Sequence, residues 1–529
     1  MTTLLVNGRI YSPSHPDASA MAVRDGLVVW LGSDDVGRAQ FRGARIVDLN
    51  GGFVAPAFVD SHVHLTATGL TLAGLDLRQA TSRTHCLQLI GDYARAHPDG
   101  PVWGHGWDET GWPEPIAPTT DDLDGVLGNR PGYLARVDLH SAATSTSLRR
   151  LDPDLPGSTG FEPQRPVTAD AHHRVRAAAR ALLTADQRAR ARAAALDAAA
   201  AHGVVAVHEC AGPNIGGLED WVEIRDMVHG VEVMGYWGEA VASAEEANAL
   251  VAATGARGLA GDLFVDGALG SHTAWLQRPY VDAGHRGNAY LDPDTITAHI
   301  GACTKAGIPA GFHVIGDAAV TAVVAAFAAV ADRQGVTRLA RCGHRLEHLE
   351  MISAAQASQL ARWGVSASVQ PNFDALWGGD DGMYARRLGP QRARLLNPLA
   401  LLASQGVPLA FGSDTPVTSM NPWETVRAAA RHQTPGSALS VRAAFTAATR
   451  GAWRAAGIRD GITGTLVPGA PACYAVWDAG PLHVEAPGDA AQRWSTDPRA
   501  RVPPLPRLSP DDPLPSCVRT VHRGQVIHG

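Results

Sequence analysis

The segment Phe53-Val-Ala-Pro-Ala-Phe-Val-Asp-Ser-His62-Val-His64 carries an apolar, β-prone stretch into two histidines at a spacing of two. Side chains alternate across a strand, so both imidazoles leave the same face, and neutral imidazole is the commonest metal ligand. A strand ending in such a pair can share one cation without rearrangement. The pair is weak on its own, because the chain holds 22 histidines and some such spacings arise by chance.

Three later segments repeat the construction. Ile308-Pro-Ala-Gly-Phe-His313 leads into Val-Ile-Gly-Asp317, Arg345-Leu-Glu-His348 follows Cys342-Gly-His344, and Val407-Pro-Leu-Ala-Phe-Gly-Ser-Asp414 closes another apolar run. Helices alternate with these strands. One is expected over residues 174–201, ahead of a strand at 204–208, and another over 293–305, ahead of the His313 strand. That rhythm predicts a parallel α/β fold, and chemistry-bearing groups at strand C-terminal ends fit a (β/α)8 TIM-like barrel. Short β-rich stretches punctuated by turns occupy both ends of the chain, so the termini are expected to build one small β-domain together.

The chain resembles the metal-dependent amidohydrolase superfamily, in the composite-domain branch around N-substituted formamide deformylase (amidohydrolase family 3). The residues that carry this are Asp60-Ser-His62-Val-His64, Asp266-Gly-Ala-Leu-Gly-Ser271-His-Thr-Ala274, His313-Val-Ile-Gly-Asp317, Arg345-Leu-Glu-His348, Ser368-Val-Gln-Pro371 and Gly412-Ser-Asp414. The resemblance implies that His62, His64, His313, His348 and Asp414 are metal ligands. It also implies a barrel over 55–455, and a β-sandwich built from 1–54 plus 456–529. An insertion at about 99–170, rich in Trp, Pro and Gly and including Trp107, is read as covering the substrate, because long barrel loops usually serve the site.

The branch places a carboxylated lysine between two metals shortly before the Asp-Gly-x-x-Gly-Ser motif, and here that position is Asp262. No lysine can stand in, since the chain has one, Lys305, in an expected helix. Either Asp262 or Glu209 bridges two ions, or the site holds one. Glu209 is favoured at this point, because its longer side chain recovers more of a carboxylated lysine's reach. His140, His272 and Asp317 are further candidates for contact with substrate or with the metal-binding imidazoles.

The expected cofactor is a divalent metal, zinc foremost, as one or two ions. A metal lowers the pKa of bound water from 15.7 toward roughly 7 and polarises a carbonyl. Asp414 is expected both to hold the metal and to carry a proton to the leaving amine, as C–N cleavage requires. The favoured function is hydrolysis of an amide or N-substituted formamide bond, outside peptides. A mononuclear deaminase of the same superfamily is one alternative. A non-catalytic metal-binding or regulatory protein is another.

The 529 residues suit such a barrel plus a small domain, and a net charge of −7 gives no basic footprint for nucleic acid or an anionic membrane. No stretch approaches the roughly 18 apolar residues of a membrane span. No secretion signal is visible, and six cysteines without C-x-x-C spacing read as reduced, so the expected location is cytoplasmic and the expected partner a small-molecule substrate, with a homodimer left open. Residues 481–515 are too proline-rich for regular structure and are expected to wrap the surface.

Overall fold

The computed structural model describes residues 1–484 and 502–529. At its centre, Phe58–Val63 pairs in parallel with Val204–Ala211, which pairs with Glu232–Trp237. Gly311–Val314, Arg345–His348, Ser366–Val369 and Leu409–Phe411 form a second parallel set in that order. Val63 bridges to Thr415 in parallel on one side, and on the other the 257–265 segment, bonded to Glu232–Trp237 through Gly235 and Trp237, bridges in parallel at Leu259 to Ala310 and at Phe264 to His313. This is a TIM-barrel-like α/β fold. All eight residues of Val204–Ala211 are buried, as expected of a parallel strand covered on both faces.

The first and last of these strands are stitched at their C-terminal ends. Asp60 accepts from the backbone N–H of Ser413 (2.9 Å), and Asp414 N–H donates to His62 O (2.8 Å). Gly412 permits this approach, because a Cβ there would lie 2.6 Å from His62 N. Two metal-competent strand ends are thereby held side by side.

The helices follow their capping residues. Pro293–Ala306 starts from Asp292, whose side chain accepts from the Asp294 and Thr295 backbones, with proline in the first turn where its missing N–H costs nothing. The single helix expected over 174–201 is two, Ala169–Ala181 and Ala185–Ala201. Thr184 and Gln187 form a reciprocal capping box, which starts a new helix where Ala/Arg periodicity alone would run on.

The 99–170 insertion is no bare loop. Val102–Trp107, Gly132–Arg136, Ser141–Thr144 and Val167–Thr168 join Leu75–Asp76 in a five-stranded sheet with its own core. The expected substrate contact of Trp107 is corrected here. Its ring is buried among Leu75, Ile90, Leu123 and Leu134, and its Nε1 donates to Leu134 O at 2.8 Å. Trp107→Ala should therefore destabilise the fold by about 3–5 kcal/mol, read as a lowered thermal or urea midpoint.

Strands from both termini pair. Phe53–Pro56 and Ser516–His522 flank Tyr474–Asp478 in one sheet, while Thr2–Val6, Ala20–Arg24, Leu27–Gly32 and Arg45–Asp48 make another. Leu5, Met21 and Val28 of the second share a core with Val54, Tyr474 and Val476 of the first. Within the 481–515 stretch expected to be irregular, residues 485–501 lie outside the described residues, and Leu482–His483 pairs with Leu505–Pro506. Among the described residues no single helix is long and apolar enough to cross a membrane.

Candidate metal centre

His62 and His64 reach the same two carboxylates, as alternation along the strand requires. His62 Nε2 lies 3.4 Å from both Asp262 Oδ1 and Asp414 Oδ1, and His64 Nε2 lies 3.2 Å from Asp262 Oδ2 and from Asp414 Oδ1. His313 Nδ1 approaches Asp262 Oδ1 at 3.8 Å, and the His313 and His348 rings are 4.4 Å apart. Donor atoms within 4.8 Å of one another form three groups around these residues: His62, His64 and Asp262; Asp262, His313 and His348; and His62, His348 and Asp414.

Among the described residues, His62 Nε2, His348 Nε2 and Asp262 Oδ1 are buried and find no hydrogen-bond partner. Unpartnered buried polar atoms are costly, and a bound cation satisfies imidazole and carboxylate lone pairs together. The electrostatics agree. Burial pushes the Asp262 carboxyl up, but the His62 charge and the His313 and His64 imidazoles beside it outweigh burial and hold it well below the ordinary range. Burial lowers His64, yet hydrogen bonds to Asp262 and Asp414 raise it to about 9. The cluster stabilises positive charge, so a metal ion would bind here in exchange for protons.

Three of the four imidazoles are oriented from behind. His62 Nδ1 faces Glu347 Oε2 at 2.9 Å, and Arg345 clamps Glu347 at 2.6 and 2.8 Å. His348 Nδ1 faces Gln370 Oε1 at 2.7 Å, and His313 Nε2 faces Gly267 O at 3.3 Å. Such outer partners fix ring orientation and tautomer. Glu347, Arg345 and Gln370 lie within the sequence motifs, which assign them no role. Period-two alternation puts Arg345 and Glu347 on one face, which was the available signal. A regular strand would send Glu347 and His348 to opposite faces. The left-handed backbone at His348 (φ 71°) breaks that alternation, and Asp414 (φ 54°) has the same conformation, a strained state that clusters at functional sites.

A model of the amidohydrolase family matches residues 45–528. The chain belongs to the amidohydrolase family. It is 28% identical to protein LONG AFTER FAR-RED 3 of Arabidopsis thaliana, over 90% of this chain and 88% of that protein. It is 23% identical to the N-substituted formamide deformylase of Arthrobacter pascens, over 83% and 85% of the respective chains. The crystal structure of an uncharacterized metal-dependent hydrolase from Pyrococcus furiosus matches with a TM-score of 0.68 at 27% identity, covering 90% of this chain and 98% of that one.

In this amidohydrolase the carboxylate among the histidines is Asp262, against the preference for Glu209. Glu209 Oε2 instead accepts from the Leu65 backbone N–H at 2.9 Å, at the start of the helix that follows His64, and burial pushes its carboxyl up to about 7. Reach along the chain favoured Glu209. The close approach of the 259–265 segment to the His313 strand decides otherwise.

The remaining candidates divide. His140 lies at the centre, its ring 5.0 Å from His313 and 5.7 Å from Phe264, and burial followed by the His313 charge keeps it neutral. His272 is turned away and pairs with Asp282 at 3.0 Å. Asp317 orients no imidazole, since its Oδ1 accepts from Gln277 N–H at 2.8 Å. The buried carboxylate in this region is Asp266, held by the Trp275, Ile315 and Gly316 backbones.

A cavity open to solvent reaches the cluster. His64, Asp262, His313, His348 and Asp414 line it, with Asp138, Leu139 and His140 contributed by the insertion. A smaller adjoining chamber shares Asp138, His140, His313, His348 and Asp414, and is walled by apolar groups such as Leu269, Ile315, Phe373 and Trp377.

Proposed function

We propose that this amidohydrolase is a metal-dependent hydrolase that cleaves an amide-type C–N bond of a small molecule. The observation that carries the reading is the convergence of four histidines on Asp262 and Asp414, with buried ligand atoms left unpartnered. His62, His64, His313, His348 and Asp414 are the proposed ligands. Asp262 belongs to two donor groups, one with His62 and His64 and one with His313 and His348. That favours two ions, zinc foremost, with Asp262 in the bridge lysine's place.

A divalent ion held there supplies Lewis acidity and lowers the pKa of water. Asp414 takes a proton from the attacking water and returns it to the departing amine nitrogen. Glu347 and Gln370 keep the His62 and His348 rings in register with their other nitrogens free. His140, neutral and beside His313, is placed to contact the substrate carbonyl. The adjoining chamber suits an apolar substituent, and the name of the Arthrobacter pascens relative makes an N-substituted formamide or a related amide the first substrate class to try. In the same reading, 1–54 with 456–529 is the composite β-sandwich domain and 55–455 the catalytic barrel.

Purified protein is expected to carry tightly bound divalent metal, to lose hydrolysis of a responsive amide on chelation, and to regain it when metal is restored. Elemental analysis with an amide panel reads this directly. Equal activity of the metal-free and metal-loaded protein would overturn it.

A further inference from the structure

The cavity that reaches the metal centre is also lined by two guanidinium groups, Arg176 and Arg180, one turn apart on the Ala169–Ala181 helix. Both side chains are partly buried, and charged groups withdrawn from water are usually paired. The neighbouring arginines obey that rule: Arg188 pairs with Glu219 and Glu223 at 2.8 and 3.3 Å, and Arg192 with Asp220 and Glu223 at 2.9 and 2.7 Å. Thr66 also donates to Asp220, at 2.8 Å.

Among the described residues, Arg176 and Arg180 form no ion pair. Arg176 Nη2 donates to the Asn214 carbonyl and to His173 Nδ1 (3.0 Å), both uncharged, and its buried Nε has no partner. Arg180 makes no hydrogen bond among the described residues and feels Asp220 only at longer range. Burial lowers Arg180 to about 10, so it still carries its charge at neutral pH. The Arg176 charge in turn helps burial keep His172 and His173 neutral. Leu70, Trp103 and Ile215 line the same cavity and lower the local dielectric, which strengthens a charge-assisted contact.

We propose that Arg176 and Arg180 form a subsite for an oxyanion on the substrate, so that the C–N bond cleaved at the metal centre belongs to a molecule that carries a carboxylate or phosphate. This rests on the hydrolytic reading and narrows its substrate class. The planar guanidinium fork matches both oxyanions in bidentate fashion, and Arg176 keeps an unused donor for one. The anion would anchor the substrate away from the reacting carbonyl and so set which amides are accepted.

The test is calorimetric binding of benzoate, phenyl phosphate and neutral benzamide to the metal-loaded protein, compared with Arg180→Gln, Arg176→Gln and Arg180→Lys. The wild type should bind at least one of the two anions about tenfold or more tighter than benzamide. Which anion binds tells carboxylate from phosphate. Both glutamine variants should lose that preference, and Arg180→Lys, which keeps the charge, should retain part of it. No preference in the wild type would overturn the subsite. So would an unchanged preference in both glutamine variants, which would mean that the anions bind at the metals. If Arg180→Gln fails to fold, Arg176→Gln decides. Because the measurement involves no turnover, its failure is distinguishable from failure of the hydrolytic reading, which the chelation experiment reports.

Discussion

Asp414→Asn should lower kcat by on the order of 10² or more while leaving the thermal unfolding transition in place. Asparagine keeps the size of the side chain and tolerates the left-handed backbone (φ 54°) at this position better than most residues. The Asp414 N–H bond to His62 O involves the main chain and survives the change. What is lost is the proton acceptor. Burial raises the Asp414 carboxyl, but the His62 charge and the hydrogen bond with His64 hold it below the ordinary range, so the side chain rests as a carboxylate ready to accept. An amide in its place cannot take a proton from water or return one to the leaving nitrogen. Steady-state kinetics on an amide that the wild type turns over, beside a melting curve, checks this. Unchanged kcat would make Asp414 a structural or purely ligating residue.

Asp262→Asn should release about one metal equivalent relative to wild type, and Glu209→Gln should leave the stoichiometry unchanged. Two dications about 4 Å apart repel by roughly 16 kcal/mol at an effective dielectric of 20, four times the figure for unit charges. They can be neighbours only with an anion between them. Asp262 presents Oδ1 to His62 and His313 and Oδ2 to His64, whereas the Glu209 carboxylate is engaged with the Leu65 N–H. Elemental analysis after dialysis against limiting metal reads the difference. If wild-type protein saturates at one equivalent, the bridge fails and a mononuclear centre replaces it. If Glu209→Gln, not Asp262→Asn, loses the ion, the bridge assignment is reversed.

The local logic of the strand ends was legible in the chain itself. Alternation along Phe58–Val63 is a property of the backbone, so His62 and His64 had to share a face wherever the strand was placed, and both do reach Asp262 and Asp414. The pairing of strands from both termini was legible in texture, since short β-prone segments punctuated by turns recur at both ends of the chain. The order of His313, His348 and Asp414 along alternating helices and strands carried the parallel α/β fold.

Only the tertiary structure decided what depends on distance between segments remote in sequence. Asp262 and Glu209 are both buried carboxylates, and only the packing of the 259–265 segment beside the His313 strand puts one among the histidines and leaves the other at a helix start. Trp107 looked like a lid residue because its surroundings are rich in Gly and Pro, but a sheet assembled from residues 75–168 makes it core. The positive φ at His348 suspends strict alternation, and so lets Glu347 hold His62 while His348 joins the same cluster. Arg176 and Arg180 read in the chain as ordinary positions of an Ala/Arg helix. That no carboxylate among the described residues pairs with them depends on where nearby acids such as Asp220 are engaged, a question of three-dimensional charge balance that no local pattern encodes.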